Sequence, residues 1–373
     1  MTDDLWVRTW GASPQAPGAA VAALDPFADA TLRQVVRISG GGRRARVRFT
    51  NEYGTAPLRI GAARVGDHVL TFGGRPTALV PPGAPIVSDP VDLSLPALST
   101  VTISLYLPER VESVTGHGRP VEAVAWMIPG DGAATPTELP ARALISAVEV
   151  VPDGPATVVA VLGDSITDGI GSAPDAAHSW PDRLAARGGG ALYVSNQGIS
   201  GNRLLNGGHG DAGLARFDRD VLATPGLSHV VVALGLGDIG ISYAPRDPEL
   251  AGFLTMFPGG PITPGDIIAG YHQLIARARG RGVKVYAATL TPAGNDPMYS
   301  PEGDDARQAV NAWIRTGGAF DAVLDFDAVW RDPAGPTRTR DGFHAGDVHG
   351  SDAGYQALAD SIDLALFKGI SRA

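Results

Sequence analysis

One serine stands out by what surrounds it. The run Gly163-Asp-Ser-Ile-Thr-Asp-Gly169 directly follows the apolar stretch Thr157 to Leu162, which reads as a buried strand. A serine on a glycine-led turn past the carboxyl end of such a strand presents its hydroxyl where open α/β sheets receive ligands. Backbone N–H groups at the start of a following helix would point at the same place and could hold a developing oxyanion. Given a base to take its proton, the Ser165 hydroxyl could serve as a nucleophile for acyl transfer. Eight histidines supply candidate bases, and the absence of cysteine excludes a thiolate nucleophile, thiolate metal ligands and disulfides.

The elements that must position this serine fall into two regions. Up to about residue 154 the pattern is that of strands. Ala45, Val47 and Phe49 alternate with arginines, and Val101, Ile103, Leu105 and Leu107 alternate with Thr102, Ser104 and Tyr106. Glycine- and proline-rich turns separate such runs, as at residues 72–76 and 81–85. This predicts an all-β sandwich or jelly-roll domain over 1–154.

Pro152, Gly154 and Pro155 mark a boundary. Beyond it, nearly continuous apolar runs at 157–163, 192–198, 228–235, 283–290 and 320–329 read as parallel strands buried on both faces. Helical patterns lie between them. Thr263, Pro264 and Asp266 form a start signal, Ile267, Ile268, Tyr271, Leu274, Ile275 and Ala278 share one face, and Gly280 and Gly282 supply a stop. A last helix from near Asp352 would turn Tyr355, Leu358, Ala359, Ile362 and Leu366 inward. The prediction is a doubly wound, flavodoxin-like α/β domain over 155–373.

The serine run resembles the first conserved block of the SGNH (GDSL-like) hydrolases. Asn196-Gln-Gly-Ile-Ser-Gly-Asn-Arg203, Gly235-Leu-Gly-Asp238 and Gly346-Asp-Val-His349 resemble the later blocks, in order. Thr9-Trp-Gly-Ala-Ser-Pro-Gln15 and Arg48-Phe-Thr-Asn-Glu-Tyr-Gly-Thr-Ala-Pro-Leu58 resemble the β-domain of two-domain members. The resemblance implies a serine esterase with Ser165 as nucleophile and His349 as general base. It also implies an oxyanion hole from the backbone N–H groups of Ser165 and Gly201, aided by a side chain at position 237. Asp164 and Asn202, beside these positions, are assigned to substrate binding.

Two departures stand out. The family writes Asp-x-x-His, whereas Asp347 is only two residues before His349. Asp347 is the favoured orienting acid. Asp341 with His344 keeps the family spacing and is the alternative, and a Ser–His dyad held by a backbone carbonyl is a third arrangement. His178 and His209 are candidates to line the pocket. The second departure is Gly237, which stands where the family has a donor asparagine. Loss of one such donor costs about 10²–10³ in rate. Water or Asn202 would have to fill the vacancy. Turnover raised by Gly237→Asn would mark a weakened oxyanion hole, whereas a glycine that simply permits a tight turn is the plain alternative.

The resemblance points to short-chain acyl esters, acetylated carbohydrate among them, cleaved through an acyl-enzyme without metal or other cofactor. An acyltransferase using the same serine and a degenerate, non-catalytic carbohydrate-binding protein are the competing readings. A net charge of −9 over 373 residues lacks the basic footprint of a nucleic-acid binder. No apolar run is long enough to span a bilayer. The first residues show no leader pattern, which leaves location open between cytoplasm and export. Oligomeric state is not legible.

Overall fold

The computed structural model describes residues 4–17, 28–118, 125–130, 132, 134–139, 141–174 and 177–368. The chain divides into two compact units, Met1–Val158 with Gly188–Ser195, and Val159–Arg187 with Asn196–Ala373.

The first unit is a β-sandwich. One antiparallel sheet is built on Gly42–Asn51 and Ile145–Val151, and the other on Ala30–Arg37 and Thr100–Leu107. The period-two pattern explains their packing. Ala45, Val47 and Phe49 are buried, while the intervening Arg46 and Arg48 are partly exposed and donate to the largely buried carboxylates of Glu149 and Glu52. Val47, Phe49, Ile103, Leu105, Leu32 and Val36 join one apolar core, the burial that makes two half-polar sheets adhere.

From residue 157 on, the chain forms a five-stranded parallel sheet: β1 (Thr157–Gly163), β2 (Leu192–Gly198), β3 (Leu227–Ala233), β4 (Lys284–Ala288) and β5 (Ala322–Leu324). The spatial order is β2-β1-β3-β4-β5. This is the flavodoxin-like winding, in which strand order reverses between β1 and β3 and opens a crevice at their carboxyl ends. The strands are buried almost throughout, which accounts for their unbroken apolar character.

Helices cover the sheet: α1 (Ser165–Asp168), α2 (Leu236–Tyr243), α3 (Pro248–Leu254), α4 (Pro264–Arg279), α5 (Pro301–Thr316) and α6 (Asp352–Ser361). Thr263 and Asp266 form the capping box of α4, and Ile267, Tyr271, Leu274, Ile275 and Ala278 are buried.

Two expectations change. The run 320–329 is not one strand. Asp325 accepts the Ala328 N–H at 3.2 Å and starts a short helix, Phe326–Trp330, that ends the strand at Leu324. The last helix stops at Ser361, and Asp363 starts a separate 3₁₀ turn, Leu364–Phe367. That break rotates the chain, so Phe367 rather than Leu366 is buried.

Candidate active site

Three strand ends converge on the crevice. At the end of β1 the chain turns sharply at Gly163, where a Cβ would lie 2.1 Å from Thr167 Oγ1. Asp164 then caps α1, its carboxylate accepting the Ile166 N–H at 3.0 Å. Ser165 is the first residue of that helix, so its own N–H has no acceptor within the helix. After β2, Gly201 holds a positive φ of 74°. After β3, Gly235 has φ 133° and leads into α2, whose second residue is Gly237. Neither the Ser165 nor the Gly201 N–H donates to an acceptor among the described residues.

The histidine arrives from the loop before α6. His349 Nε2 accepts the Ser165 hydroxyl at 2.8 Å. Its Nδ1–H donates to Asp347 Oδ1 at 3.0 Å, the tautomer this arrangement requires. The same Oδ1 accepts the His349 backbone N–H at 2.9 Å. One oxygen thus fixes both the loop and the ring. Burial pushes the Asp347 carboxyl up, but the backbone and ring hydrogen bonds from His349, with its charge, outweigh this and hold the pKa below the usual carboxylate value.

The alternative pair is not assembled in this way. His344 lies 3.9 Å from a fully exposed Asp341. Its Nδ1 accepts the Gly346 N–H at 3.1 Å, and the loop is closed by Ala345 N–H donating to His349 O at 2.9 Å. His344 therefore shapes the loop that carries His349. His178 donates to Asp352 at 2.8 Å and does not line the cavity, whereas His209 does.

The two residues assigned to substrate binding have other attachments. Asp164 is buried as a cap, and desolvation lifts its pKa to about 6 against the pull of the Ile166 N–H and His349. Asn202 is 1% exposed, and its amide is fully spent. Its Nδ2 donates to His209 O and Asp211 O, both at 2.9 Å, and its Oδ1 accepts from Arg216 at 3.1 Å. It therefore has no N–H to offer an oxyanion, contrary to the expectation that it fills the Gly237 vacancy.

Position 237 has a physical reason for glycine. A Cβ there would meet the Asn202 carbonyl oxygen at 2.8 Å, so asparagine cannot be installed without moving the backbone after Gly201.

Three functional neighbours lie outside the candidate site residues, and of these only Asp238 stands in a motif that carries the family resemblance. Arg216, fully buried, donates to Gly163 O at 3.0 Å and Gln197 O at 2.7 Å and pairs with Asp220 at 3.2 Å, so it ties the ends of β1 and β2 together. Asp238 accepts the Leu204 and Leu205 N–H groups at 2.6 and 3.0 Å and holds the chain after Gly201. Burial outweighs those bonds and lifts its pKa to about 6. Asp296 lines the cavity, and burial raises its carboxyl pKa although the Met298 N–H bonds it.

Ser165 and His349 open on a cavity of about 510 Å³. Ile170, Ile239, Leu250, Phe253, Phe257 and Met298 give it a largely apolar wall. Among the described residues no group of three or more His, Cys, Asp or Glu side chains is placed to hold a metal ion, and no helix is long and apolar enough to cross a membrane.

The sequence profile of the GDSL-like lipase/acylhydrolase family matches residues 161–357. No curated protein matches the chain. Among solved structures it is similar to the lipase/acylhydrolase from Enterococcus faecalis, with 20% identity, 55% of this chain and 92% of that chain covered, and a TM-score of 0.40. It is also similar to the native aryl esterase of M. smegmatis, with 18% identity, 55% and 96% covered, and a TM-score of 0.41.

Proposed function

The chain belongs to the GDSL-like lipase/acylhydrolase family and is an ester-bond hydrolase; on that premise we propose that it acts through an acyl-enzyme formed on Ser165. The observation that carries this reading is the hydrogen-bonded series Ser165–His349–Asp347 at the wall of an apolar cavity.

As Ser165 Oγ attacks the acyl carbon, its proton passes to His349 Nε2, and Asp347 stabilises the imidazolium. The carbonyl oxygen, now an oxyanion, accepts the N–H groups of Ser165 and Gly201. On collapse the carbon–alkoxide bond breaks and His349 returns its proton to the leaving alcohol. Water then gives a proton to His349 as it attacks the acyl carbon. The Ser165 oxygen leaves, taking that proton back, and the acid is released.

The cavity supports an ester whose acyl group is larger and more apolar than acetyl. A sugar ring would bring hydroxyls that the isoleucine, leucine, phenylalanine and methionine part of the wall does not bond, although Tyr243, Tyr299, Ser300 and Arg307 line the same cavity. The pocket therefore favours an aliphatic or aryl acyl group over the short-chain and carbohydrate readings of the sequence. The intact hydrogen-bonded series favours a catalyst over a binding protein.

The test is hydrolysis of p-nitrophenyl acetate, butyrate and octanoate beside the Ser165→Ala variant, with and without glycerol. Turnover lost in Ser165→Ala, and kcat/KM rising at least about tenfold from acetate to octanoate, is the expected result, since each buried methylene contributes about 0.8 kcal/mol. No turnover above the Ser165→Ala background would end the serine-esterase reading. Acyl-glycerol as the main product would make the chain a transferase.

A further inference from the structure

Resting on the serine-esterase reading, we propose that His209 is a substrate-contacting residue whose imidazole N–H donates to the oxyanion beside the N–H groups of Ser165 and Gly201. His209 lines the same cavity as both of them. Its Nδ1 lies 3.1 Å, and its Cγ 3.0 Å, from the position a Cβ would occupy on Gly201. The ring thus packs against Gly201, whose N–H the mechanism above assigns to the oxyanion.

The imidazole is held in place. Its backbone carbonyl accepts the Asn202 amide at 2.9 Å. Its ring stacks on Phe257 with centroids 5.0 Å apart and planes 10° from parallel. Phe257 is in turn covered by the Arg203 guanidinium at 5.6 Å. The ring is thus positioned by its backbone and by one face, and neither ring nitrogen has a hydrogen-bond partner among the described residues.

The chemistry suits the task. Desolvation lowers the His209 pKa, so the neutral ring carries one N–H donor at neutral pH. A donor fixed before reaction needs no reorganisation as charge develops. Gly237 supplies no side-chain donor and the Asn202 amide is occupied, so His209 is the donor that the cavity wall offers beside Gly201. Asn202 then acts as a positioning residue through the His209 carbonyl.

The experiment compares His209→Phe, which keeps a ring to stack on Phe257 but has no N–H, with His209→Gln, which keeps a donor. Steady-state kinetics with p-nitrophenyl butyrate are read beside melting temperature and the rate at which a fluorophosphonate labels Ser165. The expected result is a fall in kcat of about 10²-fold in His209→Phe, with KM changed by less than about twofold and most of the rate recovered in His209→Gln. A kcat in His209→Phe within about twofold of the unmodified chain would overturn the proposal, and so would equal losses in both variants. If His209→Phe does not fold, His209→Leu serves as the donor-free variant. An unmodified chain that fluorophosphonate leaves unlabelled at Ser165 removes the serine reading and the His209 role together. A labelled chain indifferent to His209→Phe removes the latter alone.

Discussion

A Cβ built on Gly237 lies 2.8 Å from the backbone carbonyl oxygen of Asn202. That carbonyl belongs to the turn that also carries Gly201, so any side chain at 237 presses on the proposed oxyanion hole. Gly237→Asn is therefore expected to lower stability by about 1–3 kcal/mol, as other overpacked sites do, and to leave kcat at or below that of the unmodified chain. Thermal melting and p-nitrophenyl butyrate kinetics check this. A stable and faster Gly237→Asn enzyme would show that the turn yields easily.

Asp347 bonds both the ring and the backbone of His349 while keeping 46% of its side chain exposed. Asp347→Asn retains the size but replaces a charged acceptor that can stabilise the imidazolium. Its kcat is expected to fall about 10²–10⁴-fold, the range of acid–base contributions, with little change in KM. Asp341→Asn, on a fully exposed residue, is expected to leave both constants unchanged. Parallel kinetics of the two variants separate the acids.

Leu250 lines the cavity from α3, a helix with no buried residue of its own. Leu250→Trp is expected to fill space without disturbing a core. It should lower kcat/KM for p-nitrophenyl octanoate by about tenfold or more while sparing acetate, because longer chains lose buried methylenes. Equal effects on both esters would place the acyl chain elsewhere.

His229 is fully buried, bonded at Nδ1 to Ser228 at 2.8 Å, and packed between Tyr286 and Phe367. Desolvation, with Lys284 nearby, lowers its pKa from 6.5 to about 4. Between these values the unfolded chain binds a proton that the folded chain refuses, so this residue makes stability fall as pH drops from 6.5 to about 4. His229→Phe is expected to flatten that part of the curve. Urea titrations at several pH values measure it, and an unchanged slope would mean that another group sets the acid sensitivity.

Asp327 is fully buried and accepts from Arg307 and Arg315, each at 2.6 Å, and from Arg331. Removing it takes one carboxylate from Arg307 and Arg315, which keep Asp304 and Asp325, and takes its carboxylate partner from Arg331. Asp327→Ala is expected to cost about 1–3 kcal/mol, the penalty of hydrogen-bonding groups left unsatisfied in a buried site, seen as a lower denaturant midpoint. Arg307 also lines the cavity, so esterase activity should fall with stability rather than survive it.

The strand ends and the residues just beyond them are the legible part of the site. Gly163, Gly201 and Gly235 follow apolar runs, and alternation of strands with helices fixes which end of the sheet they share. The choice between Asp347 and Asp341 is not legible, because the loop is closed by backbone bonds such as Ala345 N–H to His349 O that leave no mark on residue type. Arg216 is hidden for a related reason. Its acceptors include two carbonyls and an amide brought near by folding as well as the Asp220 carboxylate, while a local reading of Gly-Leu-Ala-Arg-Phe suggests a surface cation. The volume of the cavity is hidden as well, since its wall is assembled from segments around 170, 239, 250 and 298.

The Asp347–Val348–His349 tripeptide bonds to itself, so folding has one distant relationship left to establish, that between His349 and Ser165 across 184 residues. The entropy of closing such a loop grows only with the logarithm of its length. Residues inserted into surface turns between the two would lengthen the loop at small cost and leave the acid–base geometry intact. A cut or insertion within the tripeptide itself would separate the acid from the base even in a chain that folds.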